Sequence, residues 1–270
     1  MRLREKVAIV TGTSPHIGGA IARGFAAEGA KVACNDIRVE FAEARMKEIT
    51  NHGGEAIAIP GDVTDEEFVD HAVREVVERW GRVDILVNNA VLFNTKGLLD
   101  MPIEEFRKQV DVILAGAFLF TRATARVMID QGIPGSIINL LSGAAWQGQP
   151  GNVGYSTAKS GLANFTRSVA MELAEYGIRV NGFTPTITAR AAGAAPETSG
   201  PAAQKKPPSK YKMDFQGLIP LGRFPTPEDY VPAFVYLASD DSTMVTGTNI
   251  SVDGGAQAKY WPWVPSRESS

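Results

Sequence analysis

Short apolar runs alternate with helix-length amphipathic segments along most of this chain, and that rhythm limits the fold more than any other feature. Val7-Ala8-Ile9-Val10 precedes a helical pattern over residues 17–28, and Val32-Ala33-Cys34 precedes one over 39–51. The run 56–60 precedes 65–80, the run 83–88 precedes 102–130, and the run 136–140 precedes 153–176. Runs at 179–183 and 249–252 complete the series. Segments that are apolar throughout suit strands buried on both faces, as in a parallel sheet. Parallel neighbours joined by helices form βαβ units with right-handed crossovers. The expected fold is therefore α/β, a doubly wound parallel sheet with helices on both faces, filling one domain over residues 1–270. Helix punctuation agrees. Gly29 and Gly81 stand where C-terminal caps belong, and Thr64-Asp65-Glu66-Glu67 gives a capping-box spacing with acids at a helix start.

Two segments depart from the rhythm. Residues 189–217 are rich in Ala, Gly and Pro, and include Lys205-Lys206-Pro207-Pro208. A surface insertion would look like this; its place directly after a strand's C-terminal end favours a substrate lid, covering about 186–217. The C-terminal tail, 256–270, carries Tyr260-Trp261-Pro262-Trp263. Exposed aromatics of this kind suit a subunit contact.

Composition excludes several classes. With 44% hydrophobic residues the chain can bury a large core, and a net charge of -3 argues against a nucleic-acid binder. The single cysteine, Cys34, forms no internal disulfide and suits a reducing compartment, so a cytoplasmic location is expected. No membrane span is expected, because no unbroken apolar run reaches about 18 residues. No metal is expected.

The chemistry centres on Tyr155 and Lys159. Residues four apart on a helix share a face, so the phenol and the ammonium can point at one reaction centre. A phenol is a poor acid or base at neutral pH, with a reference pKa of about 10, and a nearby cation would lower it. Ser142 adds a hydroxyl if a turn brings it alongside. Taken alone, a tyrosine and lysine so spaced are often just a helix surface pair.

At the other end, Thr11-Gly12-Thr13-Ser14-Pro15-His16-Ile17-Gly18 joins the first strand to the first helix. Glycines there allow a tight turn and close approach of a pyrophosphate to the helix N-terminus. Asp36 ends the second strand, where a carboxylate accepts hydrogen bonds from ribose hydroxyls and repels a 2′-phosphate. The loop offers no arginine for such a phosphate, so NAD is expected rather than NADP.

With these residues in place the chain resembles the short-chain dehydrogenase/reductase family, single-domain type. The matching pieces are Thr11-Gly12, Ile17-Gly18, Asp36, Gly61-Asp62-Val63, Asn88-Asn89-Ala90, Ser142, Tyr155, Lys159, Pro185 and Val252-Asp253-Gly254-Gly255. The resemblance implies a Rossmann-type sheet of strand order 3-2-1-4-5-6-7. It implies that Tyr155 transfers the proton, that Ser142 orients the substrate oxygen, and that Lys159 holds the nicotinamide ribose while lowering the tyrosine pKa. It places Gly12, Ser14, His16, Ile17, Asp36, Asp62, Val63, Asn89, Tyr155, Lys159, Pro185 and Ile187 at the cofactor, with Asp62 and Val63 at the adenine. It also implies a homotetramer, or a dimer, paired through the helices over 102–130 and 153–176.

Four positions depart from the family pattern. His16 replaces the middle glycine of the cofactor loop, Val91 the glycine after Asn88-Asn89-Ala90, and Thr186 the glycine after Pro185. Ile113, in Asp111-Val112-Ile113-Leu114, stands where the family carries an asparagine that holds a relay water for the lysine. Its side chain cannot hydrogen-bond, so proton relay needs backbone, water or another polar group, or the catalyst is weak or repurposed.

The expected activity is NAD-dependent hydride transfer between nicotinamide and a secondary alcohol or ketone. The rival is an NAD-binding scaffold or sensor without turnover; a lyase or dehalogenase on the same fold is disfavoured by Asp36 and the nucleotide motifs. Phe93, Trp146 and Phe215 are expected to border the substrate pocket, with Leu92 and Leu218, and to select an apolar or aromatic substrate.

Overall fold

In the computed structural model, residues 1–189, 217 and 219–259 are described. Seven strands form one sheet: β1 (Val7–Thr11), β2 (Lys31–Asp36), β3 (Ala56–Pro60), β4 (Ile85–Asn88), β5 (Ser136–Leu140), β6 (Arg179–Pro185) and β7 (Asn249–Val252). Their order is β3-β2-β1-β4-β5-β6-β7, and every neighbouring pair is parallel. The chain order reverses between β1 and β4, which opens a crevice at the C-terminal strand ends. β1, β4 and β5 are buried at every position, as the continuous apolar runs require.

The helices are α1 (Ile17–Ala27), α2 (Val39–Asn51), α3 (Glu66–Trp80), α4 (Ile103–Val110), α5 (Gly116–Asp130), α6 (Val153–Leu173) and α7 (Val231–Ala238). Two apolar layers sandwich the sheet. Ile21, Phe25, Phe234 and Leu237 lie in one, and Val69, Val76, Phe120 and Met128 in the other. Gly81 closes α3 as expected, with φ +81°, but the start differs from the expected capping box: Asp65 is the N-cap, accepting from the Phe68 N–H at 3.1 Å, and the Thr64 hydroxyl donates to Asp62 instead.

The segment expected as one helix over 102–130 is interrupted. Residues Asp111–Ala115 form a π-helical turn between α4 and α5, in which the Gly116 N–H reaches back to the Asp111 carbonyl. One residue too many per turn cannot be read from an apolar pattern with a 3.6 period, and π-turns concentrate at functional sites. The stretch Ile103–Asp130 is also long and apolar enough to cross a membrane by length and composition, although charged residues interrupt its apolar run. Half of its most apolar window is buried within the protein, as in the core helix of an α/β sheet.

Candidate functional site

The loop from β1 to α1 is built around two glycines. Gly12 has φ +69°, a region that favours glycine. A methyl group on Gly18 would lie 2.0 Å from the Gly12 carbonyl oxygen and 2.4 Å from Asn89 Nδ2. Neither position accepts a side chain. Asn89 fixes the turn by donating Nδ2 to the carbonyls of Thr11 at 3.0 Å and Gly12 at 2.7 Å. Thr11 Oγ1 returns the tie, accepting from the N–H of Asn89 at 3.0 Å and of Ala90 at 3.1 Å. Asn89 thus acts on the loop itself, with its amide committed to backbone.

His16 sits at the N-cap of α1 with its N–H on the Ser14 carbonyl at 2.7 Å, and its side chain does not cap the helix. Its backbone lies at φ -141°, ψ -139°, outside both the helical and the regular strand regions. Ile17 is buried in the first turn. Asp36 ends β2, only 7% exposed. Burial pushes its carboxyl above the usual carboxylate range, while the backbone N–H groups of Arg38 and Ser14 pull it down. Arg38 pairs with Glu40 rather than turning toward the loop. Asp62 caps its own turn, accepting from the Thr64 N–H at 2.9 Å and hydroxyl at 2.8 Å. Val63 is buried against Gly116, where a methyl would meet it at 2.7 Å. A small concavity between these parts is lined by Thr11, Val63, Asn88, Ala90, Ile113 and Gly116.

β5 and α6 bring the three candidate catalytic groups together. Ser142 follows the end of β5, and Tyr155 and Lys159 lie one turn apart on α6. Ser142 lies within hydrogen-bonding reach of the Tyr155 hydroxyl and accepts from the Ala144 N–H at 3.2 Å. Lys159 is 1% exposed, and its ammonium donates to the Leu140 carbonyl. The expected lowering of the tyrosine pKa by lysine is corrected here. Burial is the largest effect on Tyr155 and raises its pKa; the hydrogen bond from Ser142 works the other way. Lys159 Nζ stands 5.7 Å from the centre of the phenol ring, and burial lowers its own pKa to about 7. With its own pKa at about 7, Lys159 is only partly protonated at neutral pH, which weakens its pull on the phenol.

The polar residues at the strand ends form a buried chain, of which the sequence pattern singled out Asn88 but not Asn139, Thr121 or Thr166. Asn88 donates to Thr121 Oγ1 at 3.0 Å and to Asn139 Oδ1 at 2.8 Å; Asn139 donates to Thr166 Oγ1 at 2.9 Å. It ties β4 and β5 to α5 and α6. The available signal for Asn139 was an asparagine inside the buried, mostly apolar run of β5.

The substrate side is partly as expected. Phe93, 48% exposed, packs edge-on against Tyr155 with ring centres 5.3 Å apart. Val91 and Leu92 beside it are also exposed. The Trp146 indole N–H instead donates to Thr184 Oγ1 at 3.3 Å, and Arg167 lies 5.9 Å from its ring. Those contacts belong to β6 and α6, so a pocket role for Trp146 has no contact with Tyr155 behind it. Pro185 closes β6, and Ile187 follows it, half buried. Next to them, Thr188 Oγ1 and Tyr230 Oη lie 2.8 Å apart. Phe215, Leu218, most of the expected lid and the tail from residue 260 lie outside the described residues.

A doubly wound parallel sheet, a glycine turn at its switch point that admits no side chain, and a Ser–Tyr–Lys group at the neighbouring strand end define a dinucleotide-dependent oxidoreductase. Residues 12–257 match the family model described as enoyl-(acyl carrier protein) reductase. A 3-oxoacyl-[acyl-carrier-protein] reductase of Synechocystis sp. is 36% identical, covering 94% of this chain and 97% of that protein. A sorbitol dehydrogenase of Cereibacter sphaeroides is 33% identical, covering 94% and 98%. The crystal structure of a short-chain type dehydrogenase/reductase from Mycobacterium marinum superposes with a TM-score of 0.83 at 33% identity, covering 95% of this chain and 97% of that one. The chain belongs to the short-chain dehydrogenase/reductase family, whose members bind a nicotinamide cofactor.

Proposed function

We propose that the protein is an NAD-dependent dehydrogenase/reductase that interconverts secondary alcohols and ketones of apolar or aromatic character. The observation that carries this reading is the grouping of Ser142, Tyr155 and Lys159 beside the cofactor loop, the serine within hydrogen-bonding reach of the phenol and the lysine one helical turn away. The loop and Asp36 suit the cofactor: Gly12 and Gly18 let the turn close tightly at the N-terminus of α1, and Asp36 ends β2 at the same end of the sheet with two backbone donors on its carboxylate. The bound nicotinamide supplies or accepts the hydride. Tyr155 Oη gives its proton to the carbonyl oxygen in reduction, or takes it from the hydroxyl in oxidation. Ser142 Oγ orients that oxygen. Lys159 would hold the nicotinamide ribose, for which its ammonium must leave or share the Leu140 carbonyl. Raising the Tyr155 pKa by burial favours the protonated phenol, the form that reduction needs at neutral pH.

Phe93 supports an apolar substrate. It is half exposed and stacked on the tyrosine edge, so a substrate placed at Oη meets its ring. The test is NADH formation with a panel of secondary alcohols and NADH consumption with the matching ketones. The second reading, a cofactor-binding scaffold with weak or lost turnover, rests on one observation: Ile113 is 2% exposed within an apolar cluster and offers no polar side chain beside the catalytic helix. Binding of NADH without turnover on any member of the panel would select it.

The same reading includes a homotetramer, or a dimer, in the cytoplasm, with no nucleic-acid or membrane partner. Exposed Phe118 on α5 and the half-buried small residues Ala115 and Gly161 support pairing through the long helices, whereas Gly116 and Ala158 are buried within the subunit. Light scattering at micromolar concentration tests it; a monomer mass refutes it.

A further inference from the structure

Arg45 is an unusual occupant of the layer beneath the cofactor loop. It comes from the middle of α2 and is 4% exposed. Its Nη1 pairs with Glu48, one turn further along the same helix, while its Nε is buried with no hydrogen-bond partner. The guanidinium abuts the start of α1. A methyl group on Gly19 would lie 2.6 Å from Arg45 Nη2, 2.8 Å from Cζ and 2.5 Å from the Ser14 carbonyl oxygen. The cation, the loop backbone and the first turn of α1 therefore converge on one glycine, whose N–H also holds the Ser14 carbonyl at 3.1 Å.

This cation is incompletely compensated. Glu48 is shared with Arg23, which stands 3.5 Å from its other oxygen and also pairs with Glu228 at 2.9 Å. The Glu48 side chain is 38% exposed and screened by water, whereas that of Arg45 is 5% exposed. An arginine cannot discharge itself by losing a proton. The loop above, residues 11–18, contains no lysine or arginine, and the first turn of α1 carries no acid. A diphosphate is the ligand chemistry that a helix N-terminus backed by a buried cation would attract.

We propose that Arg45 is a positioning residue for the dinucleotide, a fixed positive charge behind the loop that adds to the N-terminal field of α1 and favours the pyrophosphate. It acts through the loop rather than by touching the cofactor. The inference rests on nicotinamide dinucleotide binding by the family, and is independent of the alcohol–ketone reading and of the choice between NAD and NADP.

The experiment compares Arg45→Met with the unaltered protein, using ADP-ribose, ADP and adenosine as competitors of the reduced dinucleotide in a fluorescence titration. The expected result is a loss of roughly tenfold for ADP-ribose and ADP, the scale of one charge-assisted interaction, with less than about a twofold change for adenosine. Arg45→Lys should recover most of that loss, because it restores charge without the fork. Equal losses for adenosine and ADP-ribose would mean that Arg45 only props the loop, and would overturn the proposal, as would no loss at all. If Arg45→Met does not fold, Glu48→Gln decides the matter. Removing the competing carboxylate should tighten ADP-ribose and leave adenosine unchanged; unchanged or weaker ADP-ribose overturns the inference.

Discussion

Lys159 donates its ammonium to the carbonyl oxygen of Leu140 and stands 5.7 Å from the centre of the Tyr155 ring, so the two residues meet as neighbours in a dry site rather than as an ion pair. The first expected consequence concerns stability. Burial lowers the Lys159 pKa from 10.5 to about 7. Between those values the unfolded chain binds a proton that the folded protein has released. Stability therefore rises with pH across the window from about 7 to 10.5, and the full cost of burying the charge is present below it. Lys159→Met should flatten this rise. Its melting temperature should exceed that of the unaltered protein most at pH 6, with the gap closing toward pH 10. Parallel melting curves across this range would show that the ammonium is solvated in solution.

Tyr155→Phe keeps the ring and its edge contact with Phe93 while removing the hydroxyl. Turnover should fall by about 10²–10⁴-fold, the usual contribution of a positioned acid or base. Dinucleotide affinity should stay within about twofold, because the phenol is not a main cofactor ligand in the proposed mechanism. Full activity in this variant would end the mechanism.

Asp36 should decide the cofactor. Its carboxylate is held at the end of β2 by the N–H groups of Arg38 and Ser14, where a 2′-phosphate would approach it. NAD(H) should bind at least about tenfold more tightly than NADP(H), the effect of one unfavourable buried charge contact. Asp36→Ala should erase most of that difference, mainly by improving NADP(H). Equal affinities in the unaltered protein would remove NAD from the proposed function.

Gly154 precedes the catalytic tyrosine and has a packing reason to be glycine. A methyl group there would lie 2.0 Å from Gln109 Oε1, and Gln109 is fully buried against it. Gly154→Ala should destabilise by about 1–3 kcal/mol, as overpacking does in a filled core. Adding Gln109→Ala should return most of that loss. Strict additivity of the two changes in thermal unfolding would show that they do not touch.

The sheet was legible because its strands are apolar throughout and its helices are amphipathic, and those patterns depend on burial alone. The nucleotide loop was legible for a related reason: Gly12, Gly18 and Asp36 are residue types that few other structures demand at such places. What stayed hidden depends on third dimensions that spacing does not encode. Trp146 follows Ser142 by four residues, yet the turn after β5 directs its indole N–H to Thr184. A pull of Lys159 on Tyr155 is what their spacing predicts, whereas the desolvation that instead raises the phenol pKa follows from how α6 packs on β5. The π-turn at Asp111–Ala115 left no mark on the apolar pattern of the long helix.

That π-turn carries the last prediction, at Ile113. Its side chain is 2% exposed and packs with Leu141, Ala158 and Leu162, with Tyr155 at the edge of the same cluster. Ile113→Asn places an amide among these apolar groups. Stability should drop by about 1–3 kcal/mol, the cost of a buried polar group that finds too few partners. Catalysis should move the other way if proton delivery to Tyr155 limits the rate: kcat should rise, or its pH profile should shift, while KM for the dinucleotide stays constant. The two readouts separate the effects, since a merely damaged core lowers kcat and melting temperature together. An unchanged kcat and an unchanged pH profile in a folded variant would show that this site already relays its protons without a polar side chain at this position, through the backbone opened by the π-turn or through another polar group.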